Sequence, residues 1–450
     1  MIDDDLLADA AERARSYLRD SHARPVFPRP ADVDRLAAFD EPLPAGPQDP
    51  AATLRLLDDV GSPATVASAG GRYFGFVTGG SLPVAVAAHW LGTAWDQNAA
   101  LGVMSPVAAR LGQVAGSWLV DLLGLPAGTG TTFVTGATMA NAAALAAARD
   151  RVLAAAGWDA AADGLFGAPE VSVVTGERAH STLRKALGLV GLGRDRVHLV
   201  PVDDQGRLRA EALPDVTGPI VVCAQAGEVN SGAFDPFGPV VDWARERGAW
   251  VHVDGAFGLW AAVSPGRRHL VSGMDGADSW ATDGHKWLNV PYDSGMVFLR
   301  DPTALRRSLG VAASYLPTGD APEPMHHSPE SSQRARAIDV WAALRTLGRS
   351  GVADLVDRCC DHAARIADHL RGEPGVELLN DVVLNQVLVR VGDAERTAAF
   401  LAAIEADGTC WIGPTVWAGM PAVRISVSSW ATTDDDVTAT LAAVRRALAG

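Results

Sequence analysis

Lys286 is one of only two lysines among the 38 basic residues of this 450-residue chain. Arginine carries nearly all the remaining positive charge. A lysine kept in Asp283-Gly284-His285-Lys286-Trp287 therefore points to chemistry that a primary amine can do and a guanidinium cannot. A deprotonated amine attacks an aldehyde, whereas guanidinium stays protonated and is a poor nucleophile. Thirty-two positions upstream (286 minus 254), the apolar run Ala249-Trp250-Val251-His252-Val253 delivers Asp254. An acid at a strand end followed by a lysine on a later loop is the pairing used to hold pyridoxal phosphate (PLP). The lysine takes the aldehyde, and the carboxylate keeps the ring nitrogen protonated so that the ring can accept electrons.

Such a site also needs a flat group to stack on the ring and donors for a dianionic phosphate, which a helix N-terminus supplies well. His180, in Arg178-Ala179-His180-Ser181, follows an expected strand and can stack. Thr135-Gly136-Ala137-Thr138-Met139-Ala140-Asn141 follows the β-like run Thr131–Val134 and opens an Ala-rich helix. Small residues there let backbone amides approach a phosphate, and Thr138 adds a hydroxyl. His285, beside the lysine, can reach phosphate or substrate. Each residue alone has an ordinary explanation as a core histidine, a helix cap or a turn acid. Their order along the chain and their places at strand ends make them a set.

The elements that must position this set can be read from periodicity. Apolar runs without alternation are expected as strands at Val171–Val174, Val197–Val200, Ile220–Ala224 and the run ending at Asp254. Helices are expected over roughly 138–156 and from Pro236 to Arg247, closed by Gly248. Continuous apolar strands separated by helices indicate an α/β fold with a mostly parallel sheet covered on both faces, and ligands bind such sheets at the carboxyl ends of strands. Residues 1–20 read as an amphipathic helix, and 24–50, rich in proline and acids, as an extended connector. From about 330 the pattern changes. Helices at Ser332–Leu347 and Val352–Leu370, strands at Gln386–Val391 and Val423–Val427, and a last helix near 434–448 predict a smaller α+β domain. The expected organisation is an N-terminal segment over 1–78, a large cofactor-binding domain over 79–328 and a small domain over 329–450.

Bulk properties exclude several function classes. The net charge is −15 and the chain is 48% hydrophobic. An acidic balance repels nucleic acid and anionic membrane surfaces. No apolar stretch reaches membrane-spanning length, and the acidic start Met1-Ile2-Asp3-Asp4-Asp5 lacks the features of a signal peptide. Four cysteines (Cys223, Cys359, Cys360 and Cys410) without a Cys-x-x-Cys spacing fit a reducing cytoplasm.

Over roughly residues 70–430 the chain resembles the group II PLP-dependent amino-acid decarboxylases, which include the aromatic-amino-acid and glutamate decarboxylases. The resemblance lies in His252-Val253-Asp254-Gly255-Ala256-Phe257-Gly258, Asp278-Ser279 with His285-Lys286-Trp287, Pro291-Tyr292-Asp293-Ser294-Gly295, and Gly232-Ala233-Phe234-Asp235-Pro236. It implies fold type I and a homodimer with active sites at the interface. It also implies that Lys286 binds the cofactor aldehyde, Asp254 pairs with the ring nitrogen and His180 stacks on the ring. Ala256 then packs on the other ring face, while Ala137, Thr138, His285 and Ser279 complete the cofactor site. Tyr315, in Ala313-Ser314-Tyr315-Leu316-Pro317, matches a family loop tyrosine that protonates carbon after CO₂ leaves, a step suited to a phenol acting as general acid. Arg424 matches a family arginine near the active site and is a substrate candidate. Two segments depart from the family pattern. Gly227-Glu228-Val229-Asn230-Ser231 replaces a Gly-Thr-Thr-like stretch, so Glu228 either points away or meets a cationic substrate group. The substrate-lining segment reads Phe74-Gly75-Phe76-Val77-Thr78, with Phe76 as its aromatic candidate.

The activity implied is decarboxylation of an L-amino acid to its amine. Alternatives on the same scaffold are transamination, aldol-type cleavage, an aldehyde synthase or a catalytically silent fold. A metal hydrolase built on His252, Asp254 and His285 is a further alternative, without zinc-type Cys/His spacing to support it. No metal is expected.

Overall fold

In the computed structural model, which describes residues 4–311 and 323–449, seven strands form one sheet. They are β1 (Gly130–Val134), β2 (Ser172–Gly176), β3 (His198–Val200), β4 (Ile220–Gln225), β5 (Trp250–Asp254), β6 (Ser279–Asp283) and β7 (Gly295–Leu299). Their spatial order is β1-β7-β6-β5-β4-β2-β3. The β2–β3, β2–β4, β4–β5 and β5–β6 pairs are parallel, and only β7 runs against its neighbours. Register aligns Gln225 with Asp254 and Asp254 with Ala281, so the carboxyl ends of β4, β5 and β6 form one row.

The two faces of the sheet can be told apart residue by residue, because side chains alternate with a period of two. Val221, Cys223, Trp250, Ala281 and Val297 pack with the helix Ala137–Ala155 in one cluster. Ile220, Val222, Ala224, Val251, Val253 and Trp280 belong to the core on the other face, with the helix Phe237–Arg247. His252 and Asp254 share parity with Trp250, so both are directed at the Ala137–Ala155 helix. Ser279 and Asp283 share parity with Ala281 and are directed there too. That helix presents a continuous buried alanine surface from Ala142 to Ala148, which lets its backbone lie close to the sheet. On the other face Trp260, Trp280 and Trp287 are fully buried. Each such large side chain contributes a few kcal/mol, about 1.5–3 for a leucine-sized one.

The second sheet contains β8 (Val376–Leu378), β9 (Gln386–Val391), β10 (Gly413–Trp417) and β11 (Met420–Ser426). It is antiparallel in the order β10-β11-β9-β8. The helix Ala394–Asp407 packs on it, and the helix Asp434–Ala449 packs on that helix. The two helices expected at Ser332–Leu347 and Val352–Leu370 are found within Ala337–Arg371, meeting at a kink where Gly348 is non-helical (φ 61°, ψ −179°). This pair of helices bridges the sheets, packing on the helices Pro83–Trp95 and Pro106–Leu122 and on β8 and β9. Val387, Val389, Val423 and Ile425 of the small sheet share one core cluster with Val222, Val253 and Phe298 of the large one. Among the described residues no helix is long and apolar enough to cross a membrane.

Candidate active site

Lys286 sits in the turn that leaves β6. Its Nζ lies 3.1 Å from Oδ2 of Asp283, the last residue of that strand. His285 Nε2 is 3.6 Å from the same oxygen. His285 Nδ1 accepts the Ser294 amide at 3.2 Å, so the neutral ring carries its proton on Nε2, facing Asp283. Burial lowers the His285 pKa and favours that neutral form. Tyr292 stacks on the His285 ring, with centroids 4.4 Å apart.

Asp283 Oδ1 accepts the amide of Ala137, the first residue of the Ala137–Ala155 helix, at 2.6 Å. An anionic oxygen is thus already held at this helix N-terminus, where partial positive charge favours it. The backbone around it has no room for side chains. A Cβ on Gly136 would lie 3.2 Å from His285 Cε1, and one on Gly295 would lie 2.4 Å from Gly136 Cα. Thr138 follows in the same first turn and is half-buried. Sequence reading missed Asp283. Its role comes from the Ala137 amide, 146 residues away in the chain, which only the sheet order brings to it.

Asp254 ends β5 and is almost fully buried. Its Oδ2 accepts from Asn141 Nδ2 at 2.9 Å and its Oδ1 from the Ala256 amide at 3.2 Å. His180 caps the helix Ser181–Leu189; its Nδ1 accepts the Thr182 amide at 3.3 Å and lies 2.6 Å from Thr182 Oγ1. The His180 amide donates to Gln225 Oε1 at 3.1 Å, tying this loop to the end of β4. Desolvation is the largest influence on the His180 ring and lowers its pKa; the charges of Asp254, Lys286, Arg424 and Glu228 also act on it. Lys286, Asp254, His180, Ala137, Thr138, Ala256 and His285 therefore gather at the carboxyl ends of β1, β2, β5 and β6.

Two candidates are turned elsewhere. Ser279 is fully buried at the opposite end of β6 from Lys286, with its hydroxyl 2.9 Å from both Trp250 Nε1 and His252 Nδ1. It stands behind Asp254 rather than at a cofactor surface. Glu228 folds its carboxylate into its own loop. Oε2 accepts the amides of Asn230 and Ser231, each at 2.7 Å, and Oε1 accepts Asn230 Nδ2 at 3.0 Å. These donors occupy the buried charge and leave a substrate cation little to meet. Arg424, on β11, is half-buried, and among the described residues its hydrogen bond goes to the Val229 carbonyl at 2.9 Å. Phe76 stacks on Trp411 at 5.4 Å, and Tyr73 stacks on the same indole at 5.2 Å. Phe76 is exposed and adopts a positive φ of 52°. Tyr315 lies outside the described residues. His252, the metal candidate, has both ring nitrogens occupied, by Ser279 and by Asn141.

The donor set fits PLP. It offers an amine for an aldehyde, a carboxylate held by two donors for a ring nitrogen, an imidazole of fixed orientation and a helix N-terminus with bare glycine backbone beside it.

Comparison with known proteins agrees with this chemistry. The family model described as the pyridoxal-dependent decarboxylase conserved domain matches residues 62–391. Tryptophan decarboxylase 1 of Oryza sativa subsp. japonica is 26% identical over 94% of this chain and 89% of its own length. Aromatic-L-amino-acid decarboxylase of Drosophila lebanonensis is 32% identical over 58% of this chain and 67% of its own. The crystal structure of Oryza sativa TDC with PLP and tryptamine superposes with a TM-score of 0.92 at 23% identity, covering 100% of this chain and 98% of that one. The large mixed sheet with its small antiparallel partner is therefore the fold of the PLP-dependent decarboxylases. The chain belongs to the pyridoxal-dependent decarboxylase family: it is a lyase that uses PLP to decarboxylate an amino acid.

Proposed function

We propose that the substrate is an L-amino acid with a flat aromatic side chain, and that the product is the corresponding aromatic amine. The observation that carries this reading is the stack of Tyr73 and Phe76 on Trp411. Gly79, three residues after Phe76, runs against the Lys286 carbonyl, so this aromatic stack lies on the segment that approaches the lysine turn. Aromatic groups pair with flat apolar partners in offset or edge-on geometry, each pair contributing about 0.5–1.5 kcal/mol beyond simple burial.

Bound PLP supplies an electron sink for the carbon that loses CO₂. The remaining work falls to this chain's residues. Lys286 Nζ would hold the cofactor through its aldehyde, with Asp283 as the nearest carboxylate. Asp254 presents a held carboxylate to the ring nitrogen. His180, fixed by Thr182, gives one flat ring surface, and Ala256 bounds the other. Ala137, Thr138 and His285 would bound the phosphate region, where the Ala137 amide is held by Asp283. Arg424 offers guanidinium donors to the substrate carboxylate, a planar match for a fork of N–H groups. Tyr315 delivers the closing proton. The protein works as a homodimer, with residues 1–78 packing on the partner copy around the large domain (79–328) and small domain (329–450). Four free, buried cysteines support a cytoplasmic location.

The test is product analysis by mass spectrometry after PLP-loaded protein meets a panel of aromatic, acidic and basic L-amino acids. Amines from the aromatic members alone are expected. Turnover of acidic or basic members with the aromatic ones untouched would overturn the substrate assignment.

A further inference from the structure

His252 is the motif histidine that the site leaves unused, and its surroundings give it a definite place. It is fully buried, as are Asn141 and Ser279. Trp250 Nε1, Ser279 Oγ, His252 Nδ1 and Nε2, Asn141 Oδ1 and Nδ2, and Asp254 Oδ2 form one chain of four contacts, each 2.9 Å long. The direction of every hydrogen bond in it is forced. An indole N–H only donates and a carboxylate only accepts. The Trp250 indole therefore donates to Ser279 Oγ, and the Ser279 hydroxyl donates to His252 Nδ1. His252 Nε2–H donates to Asn141 Oδ1, leaving the Asn141 amide nitrogen to donate to Asp254. The His252 proton thus sits on Nε2, and a neutral ring leaves Nδ1 to accept from Ser279. Burial agrees, pushing the His252 pKa down to about 4. Three of the five residues come from β5, where period-two parity places Trp250, His252 and Asp254 on one face. The others come from β6 and the Ala137–Ala155 helix.

We infer that His252, Asn141 and Ser279 are positioning residues that act on the cofactor ring through Asp254. Oriented donors of this kind fix the carboxylate rotamer and stabilise its ionised form, which keeps the shared proton on the ring nitrogen. Asn141 depends on His252 for this. Its amide oxygen and nitrogen are nearly the same size, and without a donor at Oδ1 the group is free to turn. The other titratable groups that sense Asp254 are His180 after β2 and Cys223 on β4. Among the described residues, the hydrogen bonds to the Asp254 carboxylate come from Asn141 and the Ala256 amide.

This inference rests on Asp254 facing the ring nitrogen, so Asp254→Ala serves as the reference. The measurements are the dissociation constant of PLP from the holoenzyme and the pH midpoint of its visible absorption. Asn141→Ala and His252→Phe are expected to raise the dissociation constant about ten-fold, as loss of a charge-assisted hydrogen bond does, and to displace the pH midpoint. His252→Gln, whose amide can accept from Ser279 and donate to Asn141, is expected to restore both to within about two-fold. If Asn141→Ala or His252→Phe does not fold, Ser279→Ala removes a single oxygen and is expected to move both readouts in the same direction by less. Wild-type values in the variants that fold, with Asp254→Ala impaired, would overturn the relay. Wild-type values in Asp254→Ala would overturn the placement of Asp254 itself.

Discussion

Lys286 and Asp283 hold an ion pair 3.1 Å long, and this pair separates what charge does at the site from what the amine does. An arginine at 286 keeps the charge and a carboxylate partner but cannot condense with an aldehyde at any ordinary pH. Lys286→Arg is therefore expected to fold and to lose both decarboxylation and the visible absorption of bound cofactor that survives gel filtration. An absorbing, active Lys286→Arg protein would remove the lysine from its assigned role. Lys286 and Asp254 were legible in the sequence because rarity and strand-end position marked them. Asn141 and Asp283 were not, because their importance arises from contacts across 113 and 146 residues of chain that only the sheet order creates. Glu228 left two readings open, pointing away or meeting a cation, for the converse reason. A lone acid in a motif looks available until its own loop is seen to supply its donors.

At the scale of elements, β4 and β5 were legible as unbroken apolar runs, and Gly248 closed the helix between them as expected. Strands β6 and β7 went unread. Ser279, Thr282 and Asp283 make β6 look like a polar loop, yet all are buried there with partners from elsewhere. The break at Gly348 was legible as the boundary between two helices. The close approach of the backbone just after the N-terminal segment to the lysine turn was also hidden. Gly79 passes so close to that turn that a Cβ there would lie 1.7 Å from the Lys286 carbonyl oxygen and 2.9 Å from Asn289 Nδ2. The first of these is backbone, so no side-chain rotation relieves the clash. Gly79→Ala is expected to cost about 1–3 kcal/mol, the usual range for overpacking, and to weaken PLP retention because Lys286 must shift. Urea unfolding and cofactor titration measure the two effects. Unchanged values in both would show that the segment does not set the lysine turn.

The whole molecule carries a net charge of −15, so two copies repel at long range and any dimer must be held by apolar contact. Such a surface is present. On the helix Pro83–Trp95, Trp90, Leu91 and Trp95 are 41%, 55% and 43% exposed, and on the segment after it Val103 and Met104 are 73% and 48% exposed. Apolar side chains grouped in this way mark association surfaces rather than solvated ones. Screening shortens the repulsion to about 8 Å at physiological salt, so the dimer proposed here is expected to tighten as salt is raised from low ionic strength. Leu91→Glu tests the surface directly. It places an unpaired carboxylate where apolar contact is required and adds a negative charge to each copy. Sedimentation is expected to show a dimer for the parent and a monomer for Leu91→Glu. If the proposed dimer completes the active site at its interface, decarboxylation is lost with the dimer. A monomeric parent at tens of micromolar, or a Leu91→Glu protein that dimerises as the parent does, would place the interface elsewhere. A monomeric variant with full activity would show instead that one copy holds the complete site.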